Sequence, residues 1–181
     1  MRRSILHRRL GRALAAVAVL TGASIFGTAL PAEAVDPTYM VINYNTAQCA
    51  DVYLGSLNQN AAVVQEPCAH YSEQLWTVRV FPGDQGFELW NYRSDKCLDI
   101  LAASRDNGAR VVQATCTHHT DQQWVYNLNH PVGTLPMPGN HVYQFINLNS
   151  GRCLQVSGGN GASLIQATCN GLSYQQWVVN F

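Results

Sequence analysis

The sequence predicts an all-β domain of three pseudo-equivalent repeats in a threefold barrel-and-cap arrangement. Three observations carry that prediction. Three segments end alike, in Gln74-Leu75-Trp76, Gln122-Gln123-Trp124 and Gln175-Gln176-Trp177. Each segment holds two cysteines at near-constant places: Cys68 to Trp76, Cys116 to Trp124 and Cys169 to Trp177 are each 8 positions apart. The apolar runs are short and rich in Val, Ile and Tyr, and nothing after residue 34 sustains a helical period. A repeat of this kind fixes the fold class before any single element does.

The elements follow in order. The first repeat, about 39–82, contains the apolar runs Tyr39–Ile42, Ala62–Gln65 and Val78–Phe81. The second, about 86–127, contains Phe87–Trp90, Arg110–Gln113 and Trp124–Tyr126. The third, about 143–181, contains Tyr143–Ile146, Ser163–Gln166 and Trp177–Val179. Turn clusters such as Asp106-Asn107-Gly108 and Gly158-Gly159-Asn160-Gly161 separate them. Ala102–Asp106 is expected to form one helical turn at most. With a further short apolar run after the first Cys, each repeat supplies about four strands, twelve in all. A propeller is the competing architecture, but three blades fall below the usual minimum of about four.

Each motif Trp is expected in a shared core, burying on the order of 150–250 Å². The amides of Gln74, Gln122 and Gln175 can satisfy backbone groups at a turn, so they read first as structural. Gln123 and Gln176, in the variable middle position, carry little information.

Cys49 and Cys68 are 19 positions apart, Cys97 and Cys116 19, and Cys153 and Cys169 16. The simplest pairing is one bridge inside each repeat. Each closed loop would stabilise by roughly 3 kcal/mol in the chain-entropy picture. Bridges between repeats would make the repeats inequivalent. Zinc ligation would need C-x2-C-like clusters, which are absent.

Residues 1–34 read as a secretory signal peptide. Five arginines precede the apolar stretch 13–30, and Ala32-Glu33-Ala34 supplies a cleavage point. An uncleaved anchor is the alternative, near the lower length limit for a span. Cleavage after Ala34 would leave 147 residues, one domain. It would take five Arg and one Glu from totals of 11 basic and 11 acidic residues, leaving 6 and 10, a net charge of −4. No basic stripe then remains for nucleic acid or an anionic membrane. Six cysteines in an exported chain fit an oxidising, extracellular location.

Three Gln-x-Trp repeats with paired cysteines and a Cys-Ala-Asp-Val or Cys-Leu-Asp-Ile segment resemble the ricin B-type lectin family and related carbohydrate-binding modules. The resemblance covers about Tyr39 to Phe181. It implies a β-trefoil with up to three shallow sugar pockets, one per repeat, binding extracellular glycan without a cofactor. In that family an acid two residues after the first Cys accepts bonds from sugar hydroxyls, matching Asp51 and Asp99. Gln155 stands there in the third repeat. The family's Asn, three residues before the Trp, is replaced by Glu73, Asp121 and Tyr174. The aromatic platform two residues before the second Cys is replaced by Glu66, Ala114 and Ala167, none of which can stack on a sugar ring. Tyr53 and Tyr71, His118 or His119, and Tyr174 are candidate substitutes in the three repeats.

The second repeat, with Asp99, Asp121, Gln122 and His118, therefore ranks first as a sugar site. The first, with Asp51, Glu73 and Gln74, comes next, and the third is expected to be weak or dead. For Asp51 and Asp99 the competing expectation is a turn-forming Asp that bonds local backbone.

An enzyme is not expected. No carboxylate pair stands out from the repeat background for glycoside hydrolysis, and neither G-x-S-x-G nor H-E-x-x-H occurs. His118 and His119, adjacent on an extended segment, point to opposite faces and do not make a metal pair. The remaining rival is a trefoil serving as a protein-interaction or inhibitor scaffold with decayed sugar sites. The segment His130–His141, HPVGTLPMPGNH, reads as an exposed loop insertion. Oligomeric state is not legible in the sequence.

Overall fold

A computed structural model describes residues 36–80, 83, 86–126 and 142–180. The expected signal segment and its cleavage point, Phe81, and the loop His130–His141 lie outside the described residues. No described helix is long and apolar enough to cross a membrane.

Thirteen strands are described. They are β1 (Thr38–Asn43), β2 (Gln48–Val52), β3 (Ala61–Pro67), β4 (Leu75–Arg79), β5 (Glu88–Asn91), β6 (Cys97–Ile100) and β7 (Val111–Ala114). They continue with β8 (Trp124–Tyr126), β9 (Val142–Tyr143), β10 (Phe145–Asn147), β11 (Cys153–Val156), β12 (Leu164–Ala167) and β13 (Trp177–Asn180). Each expected run is found as a strand within a residue or two, except that the strand overlapping Val78–Phe81 begins three residues earlier, at Leu75, and that Tyr143–Ile146 is split at Gln144. The fourth run of each repeat is the one that starts at or beside the first cysteine: β2, β6 and β11.

The strands form a barrel and a cap. Around the barrel, β1 pairs antiparallel with β4 and with β13, β4 with β5, β8 with β10, and β13 with β9. The Phe87–Trp124 bridge joins β5 to β8, and β9 runs into β10, so the ring closes. Closure removes the exposed strand edges that an open sheet would leave. The cap is three hairpins, β2–β3, β6–β7 and β11–β12. They meet through Ala61–Gln113, Val64–Ser163 and Arg110–Ile165. This is a β-trefoil, the architecture implied by the sequence.

The motif tryptophans explain why three repeats make one body. Trp76, Trp124 and Trp177 are fully buried in a common apolar cluster with Val41, Leu89, Phe145 and Val179. Each indole Nε1 donates to a hairpin carbonyl, of Ala50 at 3.0 Å, Leu98 at 3.3 Å and Leu154 at 3.0 Å. The ring thus fills the barrel and pins the cap strand above it. The three disulfides are those expected, Cys49–Cys68, Cys97–Cys116 and Cys153–Cys169.

A second threefold network was not foreseen. Asn43, Asn91 and Asn147 end their strands fully or almost fully buried. Each Oδ1 accepts two amides of the following turn, and each Nδ2 donates to carbonyls of the preceding repeat in the ring, such as Glu73 O from Asn91 at 2.8 Å. The next hydroxyls, Thr46, Ser94 and Ser150, donate to Gln65, Gln113 and Gln166 at 2.8, 2.6 and 2.7 Å. Those buried glutamines donate onward to loop carbonyls of a neighbouring repeat, at Gly159, Ser56 and Ser104.

The helical turn expected at Ala102–Asp106 is shifted and shortened. A 3-10 turn spans Leu101–Ala103, and Ala102 has φ 57°. A left-handed residue ends the turn at once. The equivalent turn in the first repeat is Tyr53–Gly55, and other short 3-10 turns end at the motif Gln, at Ser72–Gln74 and Ser173–Gln175.

Candidate functional site

The candidate pockets are built from the cap hairpins and the turns that precede each Gln-x-Trp. In the first repeat Asp51 lies on β2 opposite Val64 of β3. Its Oδ2 accepts from Gln74 Nε2 at 2.9 Å. Gln74 also donates to Pro67 O at 3.0 Å and accepts the Ala69 amide at 2.8 Å. The second repeat repeats this: Gln122 Nε2 bonds Asp99 Oδ2 at 2.6 Å and Thr115 O at 2.9 Å, and Oε1 accepts the Thr117 amide at 2.7 Å. The turn role read from the sequence for Gln74 and Gln122 is therefore observed. So is one the sequence did not give: each Gln orients an acid.

Neither Asp bonds a backbone amide among the described residues, so the turn-forming alternative is not what the structure adopts there. One oxygen of each carboxylate is tied to Gln, and no protein group among the described residues bonds the other. Asp51 and Asp99 are only 6% and 7% exposed. Burial pushes Asp51 up to about 6, against the Gln74 hydrogen bond; neighbouring Glu73 and Glu66 add to the rise. Burial likewise pushes Asp99 up to about 6, opposed by the bond from Gln122, with Asp121 raising it and His119 lowering it. Glu73 and Asp121 therefore lie close enough to be felt by the central acids.

The third repeat differs. Gln175 Nε2 donates to Gln155 Oε1 at 2.8 Å and to Thr168 O at 2.9 Å. Gln155 thus offers one neutral amide oxygen, already bonded by Gln175, in place of a carboxylate. Tyr174 sits beside it, with its hydroxyl accepting from Asn170 Nδ2 at 2.8 Å.

At the platform positions, Ala114 is buried while Glu66 and Ala167 are partly exposed. Of the candidate substitutes, Tyr53 and Tyr71 stand about half exposed on the two turns that wall the first pocket. His118 engages Glu88. Its Nδ1 lies 3.0 Å from Oε1 of fully buried Glu88, whose Oε2 accepts from Trp90 Nε1 at 2.8 Å. His118 thus ties its loop to β5. Its backbone, at φ 59°, takes the left-handed conformation also found at the equivalent His70 and Gly171.

The first pocket also receives residues from the second repeat that sequence reasoning missed. Arg93 Nε donates to Gly55 O at 2.8 Å and Nη1 to Ser72 Oγ at 3.3 Å, and the Tyr92 amide donates to Leu75 O at 2.9 Å. Only the packing of one repeat on the next brings them there. Gly55 has φ 59°, and a Cβ on it would lie 3.1 Å from both Arg93 Nε and Glu73 Oε1.

Glu88, Cys97 and Cys116 are the one His, Cys or acidic group among the described residues with metal-ligand spacing. Both cysteines are in a disulfide, and no described cysteine is free, so no thiolate is available there.

The ricin-type β-trefoil lectin domain matches residues 37–134, and a ricin-type β-trefoil lectin domain-like description matches 120–180. The chain belongs to the ricin-type β-trefoil lectin family. Among solved structures it is similar to the designed threefold-symmetric protein ThreeFoil, at 27% identity and a TM-score of 0.69, covering 80% of this chain and 98% of that one. It is also similar to the Macrolepiota procera ricin B-like lectin, solved with lactose, at 16% identity and a TM-score of 0.63, covering 82% and 99%. An exo-β-1,3-galactanase from Clostridium thermocellum matches at 22% identity and a TM-score of 0.70, over 80% of this chain but 30% of the enzyme. No curated protein sequence matches closely. Family membership makes this a carbohydrate-binding type of domain, and such domains occur both alone and joined to enzymes.

Proposed function

We propose that the protein is a secreted, non-catalytic lectin that binds extracellular glycan through the pockets of its first and second repeats. One observation carries this reading. Asp51 and Asp99 are buried acids, each held by a Gln through one oxygen, with the other bonded by no described residue. A carboxylate so placed accepts sugar hydroxyls through charge-assisted bonds, which are stronger than neutral ones. Asp51, Glu73 and Gln74 form the first site, and Asp99, Asp121 and Gln122 the second. His118 supports the second through Glu88. The third, with Gln155 in place of the acid, lacks the acceptor and stays silent. Residues 1–34 act as the export signal, and the acidic domain they leave has no surface suited to nucleic acid.

The test is a glycan array with the disulfide-intact protein and its Asp51→Asn and Asp99→Asn variants. Binding to a defined glycan class that weakens in one variant supports the reading and locates the pocket. A blank array from folded protein, or binding that both variants retain in full, refutes it. A blank would favour the protein-interaction scaffold, for which the replaced platforms Glu66, Ala114 and Ala167 speak.

A further inference from the structure

We propose that the first-repeat pocket selects a sugar bearing a protonated amine, an inference that rests on the lectin reading above and assigns one ligand chemistry to one pocket. Asp51 pairs with Val64 across the β2–β3 hairpin. Side chains two apart on a strand share a face, so Glu66 stands beside Asp51, at the position where a stacking ring would lie. Glu73 closes the opposite wall, with Oε1 3.1 Å from the point where Gly55 would carry a Cβ.

Asp51 is 6% exposed, and its Oδ1 has no partner within the described protein. Arg93 stands at the Glu73 wall: its Nε and Glu73 Oε1 each lie 3.1 Å from the point where Gly55 would carry a Cβ, and Ser72 Oγ bonds both side chains, so its charge offsets Glu73. Among the described residues no Lys, Arg or His comes within ion-pair distance of Asp51 or Glu66, so the charge of these two carboxylates is left uncompensated. The rise of Asp51 to about 6, to which Glu73 and Glu66 both contribute, reports the same crowding of negative charge.

A neutral sugar offers these carboxylates hydrogen bonds but no counter-charge. An ammonium offers three N–H donors and the missing positive charge. Tyr53, Tyr71 and Tyr92 are 49%, 62% and 58% exposed, and their segments wall this pocket. A cation-bearing ligand gains from such ring faces as well. The acids do not gather their oxygens at metal-ligand spacing, which favours an ammonium over a metal ion.

The preference is local. The second pocket has Ala114 where the first has Glu66, so one carboxylate fewer stands beside its central acid. The third has Gln155, Ala167 and Tyr174 in place of acids.

The experiment is an amide-resolved NMR titration of the disulfide-intact protein at about pH 7, where Asp51 is ionised. The probes are galactose, galactosamine and N-acetylgalactosamine, with the glucose series in parallel, against wild type and Glu66→Gln. Galactosamine or glucosamine is expected to move the resonances of residues 51–55 on the order of tenfold more tightly than its neutral counterparts. Glu66→Gln should remove most of that margin. Equal affinities for the amine and neutral forms, or a margin unchanged in Glu66→Gln, would overturn the inference while leaving the lectin reading intact. Displacement of the amine sugar by calcium chloride alone would overturn it in favour of a metal site. No response to any sugar at residues 51–55 or 99–103 would overturn both readings.

Discussion

Asp51→Asn and Asp99→Asn should stabilise the fold while weakening sugar binding. Each acid is raised from 3.8 to about 6, chiefly by burial. The unfolded chain ionises near 4, so between about pH 4 and pH 6 the folded state holds a proton that the unfolded state has lost, and stability falls as pH rises. The loss is complete above about 6 and absent below about 4. Two pH units give a ceiling of about 3 kcal/mol per site at neutral pH. The Gln hydrogen bond is already contained in that rise, and screening by solvent at these partly hydrated carboxylates reduces the ceiling, so a net gain of about 1–2 kcal/mol is expected. The third repeat shows that an amide fits: Gln155 takes the same bond from Gln175, at 2.8 Å. For a domain of this size the gain corresponds to a rise in Tm of about 2–8 °C. Thermal unfolding of wild type and variants at pH 4 and pH 7 is the assay. The curves should coincide at pH 4 and separate at pH 7. Variants less stable than wild type at pH 7, or a difference independent of pH, would refute the argument that burial of charge sets these acids.

Three further outcomes are expected. Sugar affinity, read by calorimetry, should fall by about tenfold per pH unit once pH drops below about 6, as the acceptor carboxylates protonate; a flat profile between pH 7 and 5 would remove Asp51 and Asp99 from the site. Gln113→Ala strips partners from the Ser94 hydroxyl and the Ser56 and Asn58 carbonyls, and should cost about 2–4 kcal/mol in urea unfolding. His118→Ala takes the imidazole from buried Glu88, lowering stability by about 1–3 kcal/mol in the same assay while leaving first-repeat sugar binding unchanged.

The sequence carried the scaffold further than the pockets, for a physical reason. Cysteine spacing, the Gln-x-Trp endings and the short apolar runs are properties of one repeat seen three times, and each has a local cause: a closed loop, a core ring, a strand. The ring of Asn43, Asn91 and Asn147 with Gln65, Gln113 and Gln166 was also present as a repeating pattern. Its meaning depends on which repeat packs on which, and spacing along the chain does not contain that. Arg93 and Tyr92 escaped for the same reason, since both belong to the second repeat and serve the first. His118 was grouped with Asp99 because they share a repeat. Its contact with Glu88 depends on the left-handed backbone at His118 and on how that loop folds onto β5, and neither is visible in a string of residues.

The two networks also explain how one chain can hold three unlike pockets. The core bonds run from Trp and Gln side chains to backbone atoms, so they require the strand path but not the identity of the residues facing outward. Asp51, Asp99 and Gln155 occupy one place in three copies of the same frame, each receiving the same Gln amide. Changing acid to amide there alters the charge offered to solvent without breaking a bond the fold needs. The same holds for Glu66, Ala114 and Ala167, whose backbones pair with Cys49, Cys97 and Cys153 in one register while their side chains differ in size and charge. Threefold symmetry is thus enforced where backbone groups must be satisfied and relaxed where a ligand would be chosen. A trefoil of this kind can vary what each repeat presents to solvent while keeping one disulfide-bonded frame.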